Sequence, residues 1–236
     1  MHIADGILPL EVCAGGYGAA AALTGLALHR IGQTEHTRER IPRASLLSAA
    51  FFVASWVHLP LPPASVHLVL NGLLGAVLGF YAVPAIVVAL FFQAVMFGHG
   101  GLTTLGVNAV IMGGPALLAH LLFRLGLAVG RGSRAWVGAA GFVAGLSGVG
   151  LAVLLFAVVL VTTIPASIDP VKEQAAIMTL VLAHIPLMVL EGIVTAMVVL
   201  FLWRVRPELL TGEPGRWGTP VPGATIHGGQ PAAGDE

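Results

Sequence analysis

Charge, lysine and cysteine are all scarce in this sequence. Only 9% of the residues are charged, against about a quarter in a typical soluble domain, and the formal net charge is zero. Cys13 is the sole cysteine, which excludes a disulfide within the chain and a cluster of thiolate metal ligands. Lys172 is the sole lysine and no glycine-rich P-loop precedes it, so the chain carries no Walker-type nucleotide site. The zero net charge gives no reason to expect a nucleic-acid partner.

Hydrophobic residues make up 57% of the chain, and the mean hydropathy is +0.93. This composition indicates an all-α integral membrane protein with little room for a soluble domain. The first residues lack a basic leader, and no A-x-A-like cleavage site follows them. We therefore expect no cleaved signal peptide, and we expect Met1 to stay at the chain end.

Seven hydrophobic segments are predicted to cross the membrane. A single helix over 65–97 would be about 50 Å long, too long for one span without strong tilt. Pro84 lies near its middle, so we interpret this stretch as two short helices joined by a tight turn at 81–84. The predicted spans are about 7–28, 44–57, 67–82, 84–97, 107–127, 135–164 and 177–203.

The chain is predicted to divide into a transmembrane domain, 1–206, and a cytoplasmic tail, 207–236. The tail is rich in Gly, Pro and Thr, a composition typical of disorder. With seven spans and the N-terminus outside, ten of the eleven basic residues fall on the inner side, and Lys172 alone falls outside. The positive-inside rule favours this orientation, with a cytoplasmic C-terminus. It also places His2, His67 and His99 together on the outer side.

A histidine at position two can make the chain end a metal chelator. The Met1 amine and the deprotonated His2 amide nitrogen close a five-membered ring on an ion, and that amide and the His2 Nδ1 close a six-membered ring. A fourth nitrogen would complete the square plane that suits Ni²⁺ or Cu²⁺. Oxygen-preferring Mg²⁺ and Ca²⁺ cannot drive amide deprotonation. Taken alone, a histidine at position two is better interpreted as an ordinary exposed residue.

His67, at the predicted outer edge of the third span, is the best candidate for the fourth nitrogen. Asn71 lies one turn below, and we expect its amide to hydrogen-bond the imidazole nitrogen that faces away from the metal. The alternative is an interfacial histidine beside an interhelical hydrogen bonder. His99, between the glycines of a tight loop, is predicted to be a supporting residue that lines or caps the site.

His184 and Glu191 lie seven residues apart on one face of the last span. Glu191 is the best-placed intramembrane carboxylate, and such groups often have a function. The pair could support the ion site or could be a buried hydrogen bond between helices. A membrane-embedded, metal-dependent enzyme that uses His184 and Glu191 is the alternative function. That enzyme would need a water-accessible metal with an open ligand position.

The opening Met1-His2-Ile3-Ala4-Asp5-Gly6 resembles that of the CbiM/NikM family, the substrate-capture subunits of energy-coupling-factor (ECF) ABC transporters for cobalt and nickel. The resemblance continues through three further segments, which are Ser65-Val66-His67-Leu68, the stretch from Phe97-Gly98-His99 to Val107-Asn108, and the stretch from Glu191-Gly192 to Leu209-Leu210.

This resemblance implies a seven-helix fold in the plasma (inner) membrane. It also implies that the Met1 amine, the His2 amide and imidazole, and the His67 imidazole bind Ni²⁺ or Co²⁺ as the transported ion. The partners it implies are a transmembrane coupling subunit, two cytosolic ATPase subunits and often a small auxiliary membrane protein. In this class the coupling subunit packs on small residues, a role that Ala50 and Ala54 of the second span fit. The chain itself would be no enzyme, and it would need no catalytic cofactor.

Overall fold

A computed structural model of the chain describes residues 2–33, 37–61, 64–130, 133–163 and 170–211. Within these residues the chain is almost entirely helical, with one short hairpin of two strands. The elements in chain order are α1 Leu10–Gly32, α2 Thr37–Ala54, β1 His58–Leu61, β2 Ala64–His67, α3 Asn71–Leu78, a 3₁₀ turn Gly79–Tyr81, α4 Ala82–Phe97, α5 Leu105–Val129, α6 Arg134–Thr162, α7 Pro170–Val205 and α8 Glu208–Thr211. The prediction of an all-α membrane protein with seven main helices is confirmed.

The seven main helices alternate in direction through the bundle. Helices α1, α5, α6 and α7 are each long and apolar enough to cross a membrane, as is the segment Asn71–Phe97 that contains α3 and α4. One end of the bundle carries His2, His67 and His99 and is called the histidine end below. The other end carries Arg40, Arg43 and Arg124 and is called the arginine end.

Helices α3 and α4 form a hairpin, as the sequence predicts. A continuous helix over 71–97 would separate its ends by about 40 Å. Instead, the His67 and His99 rings, which flank the two helices, lie 5.1 Å apart. The reversal occurs at Gly79, whose φ of +60° glycine adopts readily. The break thus comes before the predicted turn at 81–84, because Pro84 lies in the first turn of α4, where proline is tolerated.

Helix α3 is the centre of the bundle, since all eight of its residues are buried. Gly72 and Gly75 allow this, because a Cβ at Gly72 would lie 2.5 Å from the Ala144 carbonyl oxygen of α6, and one at Gly75 would lie 2.0 Å from that of Ala116 in α5. The backbones of α5 and α6 therefore pack directly against the backbone of α3, the close packing that small residues permit in membranes.

The proline-rich stretch after α2 forms a hairpin of two short strands. Strands β1 and β2 pair antiparallel, with His58 opposite His67 in the register. The hairpin places His67 at its end, at the point where the chain enters the bundle. Pro62 and Pro63, at its tip, lie outside the described residues.

The packed part of the chain extends beyond the predicted domain boundary at 206. Leu210, in α8, is only 4% exposed and packs with Ala76 and Val77 of α3 and Val137 of α6. The remainder of the predicted tail, 212–236, lies outside the described residues, and its disorder stays a prediction.

Candidate metal site

Three histidines from separate parts of the chain converge at the histidine end. His2 precedes α1, His67 ends β2, and His99 follows α4. The rings of His2 and His67 stack with centroids 5.3 Å apart, and the His99 ring meets that of His2 edge-on at 4.4 Å. Each residue offers a ligand atom, and these atoms lie within 4.8 Å of one another. Nitrogens bound to one ion lie at most about 4.2 Å apart, so small side-chain shifts would bring all three onto it.

The His2 imidazole fits a metal ligand in its burial and protonation. Both of its ring nitrogens are buried, and neither has a hydrogen-bond partner within the described part of the chain. Burial lowers the pKa of this imidazole well below its usual value, and the neighbouring cationic groups, including His67 and His99, lower it further. The ring is therefore neutral at physiological pH, the form that binds metal ions.

The backbone orients His67. The Nδ1–H of His67 donates to the Leu68 carbonyl at 2.9 Å. This bond assigns the proton to Nδ1 and makes Nε2 the nitrogen that would face an ion. His67 is only 6% exposed, so the ring has little freedom to leave this position.

Gln93 of α4 is a polar residue at the site that the sequence did not single out as a ligand. It is fully buried, yet neither its amide nitrogen nor its amide oxygen has a hydrogen-bond partner among the described residues. Gln93 lies beside His2, whose own nitrogens are also unsatisfied. Buried polar groups without partners are costly, so several together indicate a site completed by a group outside the described residues.

The N-terminal segment that carries His2 is fixed to the start of α5. The Ile3 amide donates to the Asn108 side-chain oxygen at 2.9 Å, and the Asn108 amide group donates back to the Ile3 carbonyl at 3.0 Å. The Thr104 hydroxyl donates to the same carbonyl at 2.6 Å. The side chain of Ile3 is itself buried, at 1% exposure. Both the amide and the carbonyl of Ile3 are therefore hydrogen-bonded to side chains of α5 and of the residue before it. These bonds fix the backbone next to His2.

Asp5 fixes the N-terminal segment to the loop that follows α4. Its carboxylate accepts hydrogen bonds from the amides of Leu102 and Thr103 and from the Thr103 hydroxyl, at 3.1, 2.9 and 2.6 Å. The hydroxyl bond is the main reason that the pKa of Asp5 lies below its usual value. Gly101 is required here, because a Cβ would lie 1.9 Å from the Asp5 carboxylate.

Glu191 of α7 supports His67 indirectly. Its carboxylate is fully buried and accepts hydrogen bonds from the amides of Val69 and Leu70, which join β2 to α3. A carboxylate at the N-terminus of α3 also complements the helix dipole. Leu70 has a φ of +54°, an unfavourable value for a leucine, and the Glu191 bonds hold this turn in place. Glu191 thus holds the backbone that follows His67, and its role in supporting an ion site stays a prediction.

The predicted hydrogen bond between Asn71 and His67 is wrong. Asn71 is fully buried, and its side-chain amide donates to the Gly148 carbonyl at 2.9 Å and to the Met112 carbonyl at 3.5 Å. Helix α3 begins only at Asn71, and the non-helical segment 68–70 before it replaces the predicted helical turn that would have joined Asn71 to His67. Asn71 joins α3 to α5 and α6 below the site.

Two other predictions meet different outcomes. His184 donates from Nδ1 to the Leu180 carbonyl at 2.7 Å, whereas Glu191 faces Val69 and Leu70, so these two side chains form no pair.

Ala50 of α2 is exposed, but Ala54 is only 8% exposed, because α2 packs inward on α4. Packing of a partner subunit on Ala50 and Ala54 stays a prediction. Met1 lies outside the described residues.

Replacing Glu191 tests its link to His67. In Glu191→Ala the Val69 amide would be buried without an acceptor, at a cost of about 1–3 kcal/mol. We expect a lower unfolding temperature and a metal affinity reduced about ten- to a hundredfold, as for other residues that support a ligand. Titration calorimetry and thermal unfolding measure the two effects. Glu191→Gln keeps an acceptor oxygen and should lose much less, and unchanged affinity in Glu191→Ala would contradict the link.

The fold and the site together define a multi-pass membrane protein with three histidine side chains gathered at one end. The chain matches the family model of the cobalt uptake substrate-specific transmembrane region, CbiM, over residues 2–209. It is 37% identical over 213 residues to a putative metal transport protein of Haemophilus influenzae, covering 89% of this chain and 97% of that protein. It is 35% identical over 217 residues to the cobalt transport protein CbiM of Sorangium cellulosum, covering 89% and 94%.

Two further comparisons extend this set. A fused nickel transport protein NikMN of Rhodobacter capsulatus is 32% identical over 222 residues, covering 89% of this chain and 64% of that protein. A crystal structure of a transition metal transporter superposes with a TM-score of 0.69 at 25% identity, covering 87% of this chain and 93% of the other. The chain belongs to the CbiM family, and the resemblance to CbiM/NikM proteins is confirmed.

Proposed function

We propose that this chain is the substrate-capture subunit of an ECF-type ABC importer and that it binds Ni²⁺ or Co²⁺ for ATP-driven uptake. The observation that carries the proposal is the convergence of His2, His67 and His99, with buried nitrogens on His2 that have no partner within the described residues. The names of the relatives, which include both cobalt and nickel transport proteins, support the choice of ions.

The ion is held as a transported substrate. The Met1 amine, the His2 amide nitrogen, the His2 imidazole and His67 Nε2 would supply four nitrogens, the set that suits a square-planar ion. This geometry favours Ni²⁺, and low-spin Co²⁺ fits the same plane. The geometry of His99 makes it a stronger candidate than the sequence indicated, either as an additional ligand or as a wall of the site.

The histidine end faces outward in this proposal, in the plasma (inner) membrane. The support is the charge distribution, because the loops and helix ends at the arginine end carry nearly all the basic residues. An ion would then be captured on the side from which it arrives. The energy for release and inward transport would come from a coupling subunit and two cytosolic ATPase subunits, with an auxiliary membrane protein as a further partner.

The alternative of a metal-dependent enzyme finds no support in the residues that would carry it. His184 and Glu191 face different partners, whereas a catalytic metal needs several converging ligands and an open position. The relatives compared above are named as transport proteins.

Metal analysis of the purified chain tests the proposed function. We expect one equivalent of Ni²⁺ or Co²⁺ per chain, no ATP hydrolysis by the chain alone, and uptake in cells only when the coupling and ATPase subunits are co-expressed. Elemental analysis, an ATPase assay and radioactive-metal uptake measure the three results. ATP turnover by the isolated chain, or purified protein that retains neither ion, would contradict the proposal.

A further inference from the structure

A polar pocket of about 300 Å³ lies at the arginine end, far from the histidine site. Three arginines from two helices line it, Arg40 and Arg43 of α2 and Arg124 of α5, together with His120. No carboxylate lines this pocket among the residues that the structure describes. Several cationic side chains gathered around one pocket favour an anionic occupant.

One buried donor in the pocket lacks a partner. Arg43 donates from Nη1 to the Leu209 carbonyl at 3.1 Å, but its Nε is buried and has no hydrogen-bond partner within the described chain. Leaving such an atom unsatisfied is costly, and a phosphate oxygen would accept its hydrogen bond.

An apolar groove of about 620 Å³ adjoins this pocket, and Ile31 and Tyr81 line both. The groove runs between α2 and α4. Its α4 wall is a single face of that helix and the turn before it, made of Tyr81, Pro84, Ala85, Val88, Ala89, Phe92 and Met96. From Tyr81 to Met96 this face is about 22 Å long at the helical rise of 1.5 Å per residue. One leaflet of hydrocarbon is about 15 Å thick, so the groove can hold an extended acyl chain.

We propose that the pocket and the groove together bind one anionic phospholipid, with its phosphate among Arg40, Arg43 and Arg124 and an acyl chain between α2 and α4. A phospholipid requires a site for its headgroup next to an apolar groove for its acyl chain. A soluble phosphate would use only the pocket. Basic pockets between transmembrane helices are suited to anionic headgroups. The bound lipid would join α2, whose contacts within the bundle are mainly with α4, to α5 and the α8 segment.

Lipid titration of the purified, delipidated full chain tests this site. We expect phosphatidylglycerol to bind at least tenfold more tightly than phosphatidylcholine with the same acyl chains, measured by native mass spectrometry. Arg40→Gln should weaken phosphatidylglycerol binding about tenfold, because it removes one charged contact with the phosphate. The matched control is Arg134→Gln, which removes an exposed arginine outside the pocket. All variants should keep the metal stoichiometry of the unmodified chain, which shows that they fold.

The groove has its own variant and its own control. Ala49→Trp, which fills the groove, should weaken phosphatidylglycerol binding, whereas Leu46→Trp, on an exposed position of the same helix outside the groove, should not. Equal binding of the two lipids, or equal effects of Arg40→Gln and Arg134→Gln, would overturn the proposal. Competition by inorganic phosphate at comparable concentration would also overturn it, because the groove would then contribute nothing. A groove that docks a protein helix would show no lipid preference, and Ala49→Trp would then change complex formation alone.

Discussion

Acetylation of the N-terminal amine is expected to abolish tight binding of Ni²⁺ or Co²⁺. The proposed chelate uses the Met1 amine and the His2 amide in adjoining rings, and an acetylated amine loses the lone pair that the metal needs. An N-terminal tag should have the same effect, because it moves His2 away from a free amine. Metal stoichiometry by elemental analysis of the purified protein measures the loss. A tag after Glu236, at the far end of the chain, is the matched control and should leave one equivalent bound.

Insertion of one glycine after Met1 separates binding from transport. The imidazole then stands at position three, and the terminus gains a second amide, so it can supply four nitrogens by itself. Metal binding should persist in this variant, but His67 would no longer be needed, and uptake should fall to background when the partners are present. Full uptake by the acetylated, tagged or glycine-inserted protein would remove the basis for the proposed site.

Replacement of His67 by alanine should lower metal affinity by more than about a hundredfold, beyond the loss expected for a residue that only supports a ligand. The reason is that the His67 ring lies against the His2 ring with Nδ1 bonded to the backbone, which leaves Nε2 as the fourth nitrogen of the proposed set. Titration calorimetry on the purified variant measures the affinity. His29→Ala is the control, since His29 is an exposed histidine at the end of α1 and bonds Gln33.

His99→Ala distinguishes two arrangements of the site. A ligand role for His99 predicts a loss as large as that in His67→Ala, whereas a lining role predicts a loss of about tenfold or less. The spectrum of the bound Ni²⁺ gives an independent measure, because a square-planar ion with four nitrogens keeps its absorption when a lining residue is removed. Wild-type affinity in His67→Ala would require His99, or a residue outside the described structure, to supply the fourth nitrogen.

Hydrophobicity and the placement of arginine were sufficient to predict the bundle. The α3–α4 hairpin follows from length, because 33 apolar residues cannot form one ordinary span. The position of its turn could not be predicted as well. Pro84 stands out in the sequence, but a proline is compatible with the first turn of a helix, and the reversal depends on the positive φ of Gly79.

The convergence of the candidate ligands was easier to predict than the contacts of the residues around them. His2 and His67 stand out because a histidine at position two and another at a span edge have a specific chemistry. Asn71 was assigned by helical spacing, and the assignment failed because the chain from His67 to Asn71 is not helical. Thr104 and Asn108 lie four residues apart at the start of α5, which indicates one face, but nothing in the sequence relates that face to Ile3. Such pairings join segments about a hundred residues apart and depend on tertiary structure.

Ile3 pairs with Asn108, which lies 105 positions later in the chain. The site around His2 can therefore form only after the later segment has been synthesised and inserted. The N-terminal segment is synthesised first, but the elements that position His2 arrive only when the loop after α4 and the start of α5 have been inserted. An ion in the surroundings therefore finds no complete site on a partly inserted chain. An ion held at the proposed site would stabilise the folded state alone, so we expect the resistance of the protein to unfolding to rise with the metal concentration.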